Sequence, residues 1–376
     1  MGIKICHLTS VHDSTDVRVF RKECSSLAKK YDVYLVAKGQ SREENNVKII
    51  GIGDAPDSRL KRITRFTKAV YQKGLSLDCD IYQIHDPELL PVALKLKRKG
   101  KAVIYDSHEL YYEQIQNRPY LNRTIRKVIS FLYLLYERHV LKRIDAVIFP
   151  CLINGRNPFE GRCELIETID NYPILDELFA NYDENCVKTE RSACYVGSIS
   201  ANRGVTNFIK AISKIGGVAN IGGPFDTIDY EEELKKMPEF KSVNYHGVLN
   251  RDQVLQMLNS SIIGMANLRN VGQYNKSDNL PTKVYEYMSM GMPVILSKSP
   301  YNDVIMKKYK FGICVDPDDI DETARAMETI FSDKELQKEM GVNGRRAVKN
   351  YFNWSTEEKK LIELYEKILM KRRIQK

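Results

Sequence analysis

Two acids eight positions apart, Asp278 and Glu286, flank a segment built to hold an anion. The stretch reads Asp278-Asn-Leu-Pro-Thr-Lys-Val-Tyr-Glu286-Tyr-Met-Ser-Met-Gly291-Met-Pro-Val-Ile-Leu296. Pro281 suits the first turn of a helix, where its missing N–H would be unpaired anyway. The pattern predicts a helix over 282–290, ended by Gly291 in the left-handed conformation, then a buried strand over 294–296. A helix start offers free N–H groups and a positive dipole end, both favourable to phosphate. Carboxylates beside such a site are electrostatically costly unless they bind hydroxyls. Together these features predict a pocket for a sugar joined to a nucleoside diphosphate.

The elements that must carry this segment follow from its surroundings. Short apolar runs alternate with helical stretches through the first half: strands over 3–8, 32–37, 48–52, 81–84, 102–105 and 146–150, helices over 17–29, 58–73, 88–98 and 123–143. Residues 166–190 break the rhythm, and it then restarts with strands over 194–196, 218–221, 243–246, 262–266, 294–296 and 312–315. Such alternation implies α/β architecture, parallel sheets with helices on both faces, here in two tandem domains. The expected divisions are a first domain over 1–168, a linker over 169–190, a second domain over 191–355, and a closing helix over 356–376. Ligands of such sheets bind at the carboxyl ends of strands. That rule selects residues 10–16, 85–88 and 107–109 in the first half, and 197–203, 222–224, 247–250 and 267–280 in the second. The two sets of edges are expected to face one another across a cleft.

Bulk properties narrow the classes. The 376 residues are 43% hydrophobic and 28% charged, and two domains is the default for this length. No apolar run approaches bilayer-spanning length, and residues 1–8 read as a strand rather than a signal peptide. The eight cysteines form no Cys-x-x-Cys pair, and Cys6, Cys151, Cys194 and Cys314 sit in apolar runs, as reduced core thiols of a cytosolic protein would. No dinucleotide-type Gly-x-Gly-x-x-Gly turn stands at a strand-to-helix junction, which argues against a nicotinamide cofactor. The net charge of +9 is concentrated in residues 1–170, with 29 Lys/Arg against 21 Asp/Glu. This predicts either an anionic partner for the first half or a solvated basic face. The aromatic, basic helix over 123–143 and the basic stretch 59–68 permit a peripheral membrane contact.

The sequence resembles the retaining glycosyltransferases of family 4, through Asp16-Val-Arg-Val-Phe, Ile84-His-Asp-Pro-Glu-Leu-Leu-Pro91, Val103-Ile-Tyr-Asp-Ser-His-Glu109, Tyr195-Val-Gly-Ser-Ile, the 278–293 segment and Phe352-Asn-Trp-Ser. The resemblance implies the GT-B fold, two facing Rossmann-like domains, with the last helix crossing back to the first. It implies that Glu286 binds the nucleotide ribose and that Asp278 lies near the donor-sugar hydroxyls, an Asp where the family has Glu. The N–H groups of Asn279 and Leu280 would meet sugar or diphosphate. Where the family often has Gly-Arg-x-x-x-x-Lys-Gly, this chain has Gly197-Ser198 and Arg203-Gly204, so one of two phosphate-clamping cations is missing. Lys283 and Arg18 are the candidates to replace it. Arg203 is expected to stabilise the leaving diphosphate and His108 to contact donor sugar or acceptor. Gly222, at a strand end, either approaches the base or turns the chain, and Val248 lies among the donor-side loops. His12, Asp13, Arg18 and His85 are placed on the acceptor side; Asp86 and Pro87 read equally well as a helix start.

The resulting expectation is a retaining transferase using a nucleotide sugar and a glycan or polyprenyl-linked acceptor, with no metal and no cofactor, cytoplasmic or at the inner membrane face. Alternatives are a sugar-nucleotide epimerase of the same fold and a non-catalytic partner subunit. No nucleic-acid-binding module is recognisable.

Overall fold

A computed structural model of the chain describes residues 2–56, 58–116, 122–269 and 276–374. Contacts divide the chain into two units, Met1–Asn171 with Glu357–Lys376, and Tyr172–Thr356.

The first unit is built on eight strands: β1 (Lys4–Asp13), β2 (Asp32–Lys38), β3 (Arg42–Glu44), β4 (Val47–Gly51), β5 (Ile81–Ile84), β6 (Ala102–Asp106), β7 (Ala146–Phe149) and β8 (Leu165–Thr168). They lie in the order β3-β4-β2-β1-β5-β6-β7-β8, all parallel except the β3–β4 pair. Strands β5, β6 and β7 are buried at every position. That is why they read as continuous apolar runs rather than alternating ones, since helices cover both faces. The closing helix, Trp354–Ile374, buries Leu361, Leu364, Tyr365 and Ile368. Its Glu357 accepts the Asp170 backbone N–H at 2.8 Å.

The second unit has six parallel strands: β9 (Ser192–Val196), β10 (Val218–Gly222), β11 (Val243–Tyr245), β12 (Ile263–Ala266), β13 (Val294–Ser297) and β14 (Gly312–Val315). Their order is β11-β10-β9-β12-β13-β14. The helix Val205–Lys214 buries Val205, Phe208, Ile209 and Ile212, the 3.6-residue stripe that packs on a sheet. The stretch predicted as linker contains the helix Leu175–Ala180. Leu178 is buried in the second unit's core, with Leu175 and Phe179 packed against it. Three apolar residues at i, i+3 and i+4 were signal enough for this helix, masked by the polar run that follows.

In each sheet the strand order reverses once, between β1 and β5 and between β9 and β12. These are the switch points at which such sheets leave a crevice beyond the strand ends. The first puts the 10–12 loop beside His85; the second puts the Gly197 loop beside Asn267.

Candidate functional site

The second unit's candidate site is organised by the helix Thr282–Ser289. Pro281 caps it with φ −54° and ψ 139°, one position earlier than the sequence suggests, and Gly291 ends it at φ 62°. Tyr287 fastens the helix to the sheet: its hydroxyl accepts the Val196 N–H at 3.3 Å, and its ring lies where any Cβ at Gly264 would have to be. Val196 ends β9, so the helix start is held close to the Gly197 loop.

Lys283, in the first turn, points into this corner. Its ammonium lies 3.5 Å from the centroid of the Tyr195 ring and would press on a Cβ at Gly197 at 3.2 Å. The residue is 8% exposed, and Nζ has no hydrogen-bond partner among the described residues. Burial, then the nearby positive charge of Arg203, lower its pKa to about 7. Arg203 ends a short turn, Ala201–Arg203, and Gly204 follows at φ 75°, where a Cβ would collide with the Asn267 carbonyl. Both side-chain polar atoms of buried Asn267 also lack partners among the described residues. The turn after β9, the end of β12 and the first turn of the Thr282–Ser289 helix thus bring Arg203, Asn267 and Lys283 to one strand edge. Ser198 belongs to the same loop, its carbonyl accepting the Tyr195 hydroxyl at 2.7 Å and so fixing the ring beneath Lys283. Asp278 and Asn279 are half-buried at the other end of the segment.

Glu286 receives an Nη1–H bond from Arg251 at 2.7 Å, and Arg251 also pairs with Glu177 at 3.2 Å. Sequence reasoning missed Arg251. Asn250 and Gln253 form a capping box that sets it at the first position of the helix Arg251–Ser260. A carboxylate can accept about four hydrogen bonds, so one arginine orients Glu286 and leaves room for a diol.

One donor-side expectation changes, and two further residues are placed. The Leu280 N–H, expected to meet sugar or diphosphate, instead donates to the Tyr285 hydroxyl at 3.1 Å, and Leu280 is buried. Gly222 makes its close approach to Leu249, which would clash with a Cβ there, and its carbonyl accepts the Gly197 N–H at 2.9 Å. It packs one strand end on another. Val248 is 72% exposed, next to Gly247, whose carbonyl takes the Gly223 N–H.

The first unit has a cavity of about 560 Å³ whose lining includes His12, His85, His108, Glu109, Arg59 and Arg62. Asp106, at the end of β6 and fully buried, organises it. Its Oδ2 accepts from His108 Nε2 at 2.9 Å and His85 Nδ1 at 3.1 Å, and Arg18 grips the same carboxylate at 2.9 and 3.1 Å. Burial alone would raise the Asp106 pKa, but Arg18, then His108 and His85, hold it well below the usual carboxylate range. With Nδ1 donating to Asp106, His85 Nε2 is left to accept from His7 Nδ1 at 2.9 Å. Burial lowers the pKa of both His7 and His85. For His12, burial is outweighed by Asp16 and Asp86, and its pKa rises. Donor atoms of His85, Asp106 and His108 lie within 4.8 Å of one another, a spacing a metal ion could use. The guanidinium already gripping Asp106 opposes a second cation there, so the trio is better suited to fixing the rings.

Two acceptor-side expectations change as well. Arg18 is 6% exposed and spends its guanidinium on Asp106, on Glu23 at 3.2 Å and on the Ile169 carbonyl, so it is not the substitute phosphate cation. Asp13 is not among the cavity's lining residues, and its carboxylate pairs with Lys38 at 3.1 Å. Asp86 sits at the start of the Pro87–Leu89 turn but does not cap it with its side chain. Its Oδ2 accepts from Thr9 Oγ1 at 2.9 Å and the Ser10 N–H at 2.6 Å, shaping the loop that carries His12. Arg59 and Arg62 were legible only as part of a basic run.

Residues 17–152 match the family model described as Glycosyltransferase Family 4, and residues 181–347 match that described as Glycosyl transferases group 1. No curated protein matches the chain in sequence. Among solved structures, sucrose-phosphate synthase from Thermosynechococcus elongatus superposes with a TM-score of 0.74 at 17% identity, covering 98% of this chain and 99% of that one. HepE from Anabaena, in complex with UDP and glucose, gives 0.69 at 14% identity, covering 97% and 100%. A glycosyltransferase from Rickettsia africae gives 0.71 at 13%, covering 98% and 99%. At these identities the likeness is one of fold.

Proposed function

The chain belongs to the glycosyltransferases of the group 1 and family 4 type, with the GT-B fold, and from this premise we propose that it is a retaining enzyme moving a sugar from a nucleotide sugar to a lipid-linked glycan acceptor. The donor reading is supported by the cation pair Arg203 and Lys283 beside a helix start, by Glu286 oriented for a diol, and by the UDP and glucose bound to the HepE neighbour. Departure of a nucleoside diphosphate needs stabilisation of developing negative charge more than any nucleophile, which suits a site of cations and N–H groups. Retention follows the family resemblance, and the anomeric configuration of the product, read by NMR, decides it. Glu286→Ala is expected to weaken UDP binding about tenfold, the value of one good charged hydrogen-bond set. Unchanged affinity in calorimetry would remove the ribose role.

The observation that carries the acceptor reading is an apolar stripe that stands exposed among the described residues. On the helix Arg123–Leu141, Ser130, Glu137, Val140 and Leu141 face inward. Ile125, Val128, Ile129, Leu132 and Leu135, at helical spacing, are exposed, and Leu132 is 57% so. Contiguous exposed apolar surface of this kind marks an interaction site. Lys127, Arg126 and Arg138 lie on the same helix, the mix expected for seating on an anionic lipid surface. The helix adjoins the cavity: Arg59 of the lining donates to the Tyr111 hydroxyl, and the Tyr111 ring packs on Tyr133 of this helix at 5.0 Å. An acceptor head group in the cavity could thus trail its lipid along the helix. No helix among the described residues is long and apolar enough to cross a membrane.

Flotation with phosphatidylcholine vesicles, with and without phosphatidylglycerol, tests this. The chain is expected to float with anionic vesicles and to lose most of that binding in the Val128→Ser, Leu132→Ser, Leu135→Ser triple variant. These positions are exposed, so the fold should persist. Binding that ignores the triple substitution, or no binding by the unaltered chain, would defeat the lipid-surface reading.

A further inference from the structure

We propose that Lys283 supplies the second cation of the diphosphate site and takes up a proton as the donor binds, so that donor binding is linked to pH through this one residue. The inference rests on the nucleotide-sugar reading above and goes beyond it by assigning a switchable charge to a particular nitrogen.

The geometry comes first. A buried ammonium ordinarily has a carboxylate or several carbonyls around it, because removing it from water unpaired is costly. Lys283 Nζ has no such partner among the described residues and rests on an aromatic face. That face is itself pinned by the Tyr195–Ser198 hydrogen bond. A ring attracts a cation weakly and does not replace a counter-ion. Gly197, at φ 130°, keeps the space beside Nζ clear; any side chain there would press on it. The nitrogen is therefore stored at the strand edge, in the first turn of the helix whose start favours phosphate, with the amide of Asn267 at the end of the adjacent strand.

The charges around it set the direction of the switch. Arg203, from the turn after β9, repels the protonated form. Glu286, one helical turn on, favours it more weakly. Cys194 has its own pKa pushed up to about 12, chiefly by burial, so it is a neutral neighbour. Tyr195 contributes its ring. Burial and Arg203 prevail, and the amine titrates near neutrality. A diphosphate in this corner adds negative charge beside both cations, which favours the ammonium. The bound pKa then lies above the free one. Between these two values the amine gains one proton from solvent for each donor bound, and the Arg203–Lys283 repulsion is offset by the anion they share. This restores by position the cation of the family's Gly-Arg pattern, which this chain lacks at Ser198.

Calorimetric titration of the full chain with UDP at pH 8, in Tris and in HEPES, reads the effect directly. The heats differ between buffers in proportion to protons exchanged. UDP is already fully ionised at this pH, since phosphate second ionisations lie near 6. Close to one proton taken up per UDP is expected for the unaltered chain. Lys283→Arg, which carries a permanent charge, should bind UDP with no proton uptake, and Lys283→Met should bind at least tenfold more weakly, also without uptake. UDP binding with no uptake by the unaltered chain, or uptake that persists in Lys283→Arg, overturns the inference while leaving the nucleotide reading intact. Failure of UDP, GDP and ADP alike to bind the unaltered chain overturns that reading and this inference with it. Because the buffer comparison on the unaltered chain is decisive alone, poor folding of a variant does not remove the test.

Discussion

Replacing Arg18 by Met will destabilise the first unit by about 3–5 kcal/mol, the usual cost of leaving a buried charge without its partner. The carboxylate left behind is Asp106, fully buried and gripped by two guanidinium N–H groups. His85 and His108 also bond it, but neither carries a permanent charge. The variant will relieve the strain by letting Asp106 take up a proton, and this gives a pH signature. In the unaltered chain the folded Asp106 pKa is depressed. The stability it contributes is therefore present above the ordinary carboxylate pKa and lost only as pH falls through the lower folded value. In Arg18→Met the folded pKa rises, so the destabilisation should be large at pH 8 and shrink toward pH 4. Urea melts of both proteins across that range measure it. A pH-independent difference would mean that Arg18 acts through packing and its Ile169 contact rather than through Asp106. Loss of transfer activity should accompany the change, because the carboxylate that aims His108 into the cavity is the one being neutralised.

What the sequence shows and hides at this centre is a matter of distance along the chain. The helix after Pro281, its glycine stop and the following strand are local patterns, and they stand within a residue of where composition puts them. The parallel alternation is legible for the same reason, and with it the strand ends where His12, His85, His108 and Arg203 lie. Arg18 was misplaced because its partner Asp106 is 88 positions away, and no periodicity links the two. Arg251 escaped notice because Glu286, 35 positions on, gives it meaning. Leu280 failed for a different reason: its free N–H was expected at the helix start, but a tyrosine five residues later in the same segment satisfies it. Local rules thus located the edges at which chemistry occurs. Which polar groups at those edges remain available for ligand depended on tertiary partners.

Arg203→Ala will lower kcat by about 10²–10³-fold, the range seen when one donor to a developing anion is removed. UDP affinity should fall much less, because the charge Arg203 meets is greatest as the sugar departs and smaller in the bound nucleotide. The loss will also be cushioned from an unusual direction. Arg203 is the charged neighbour that most disfavours the Lys283 ammonium, so removing it raises the fraction of Lys283 already protonated before the donor arrives. The two substitutions should therefore fail to add: the Arg203→Ala, Lys283→Met double variant should lose more than the product of the single losses, since each single variant leaves a cation better able to act alone. Steady-state release of nucleoside diphosphate, measured for the four members of this cycle, checks both claims. Equal losses in kcat and in UDP affinity for Arg203→Ala would deny it a part in leaving-group stabilisation. Strict additivity would show that the two cations do not share an anion, and would place Lys283 outside the diphosphate site.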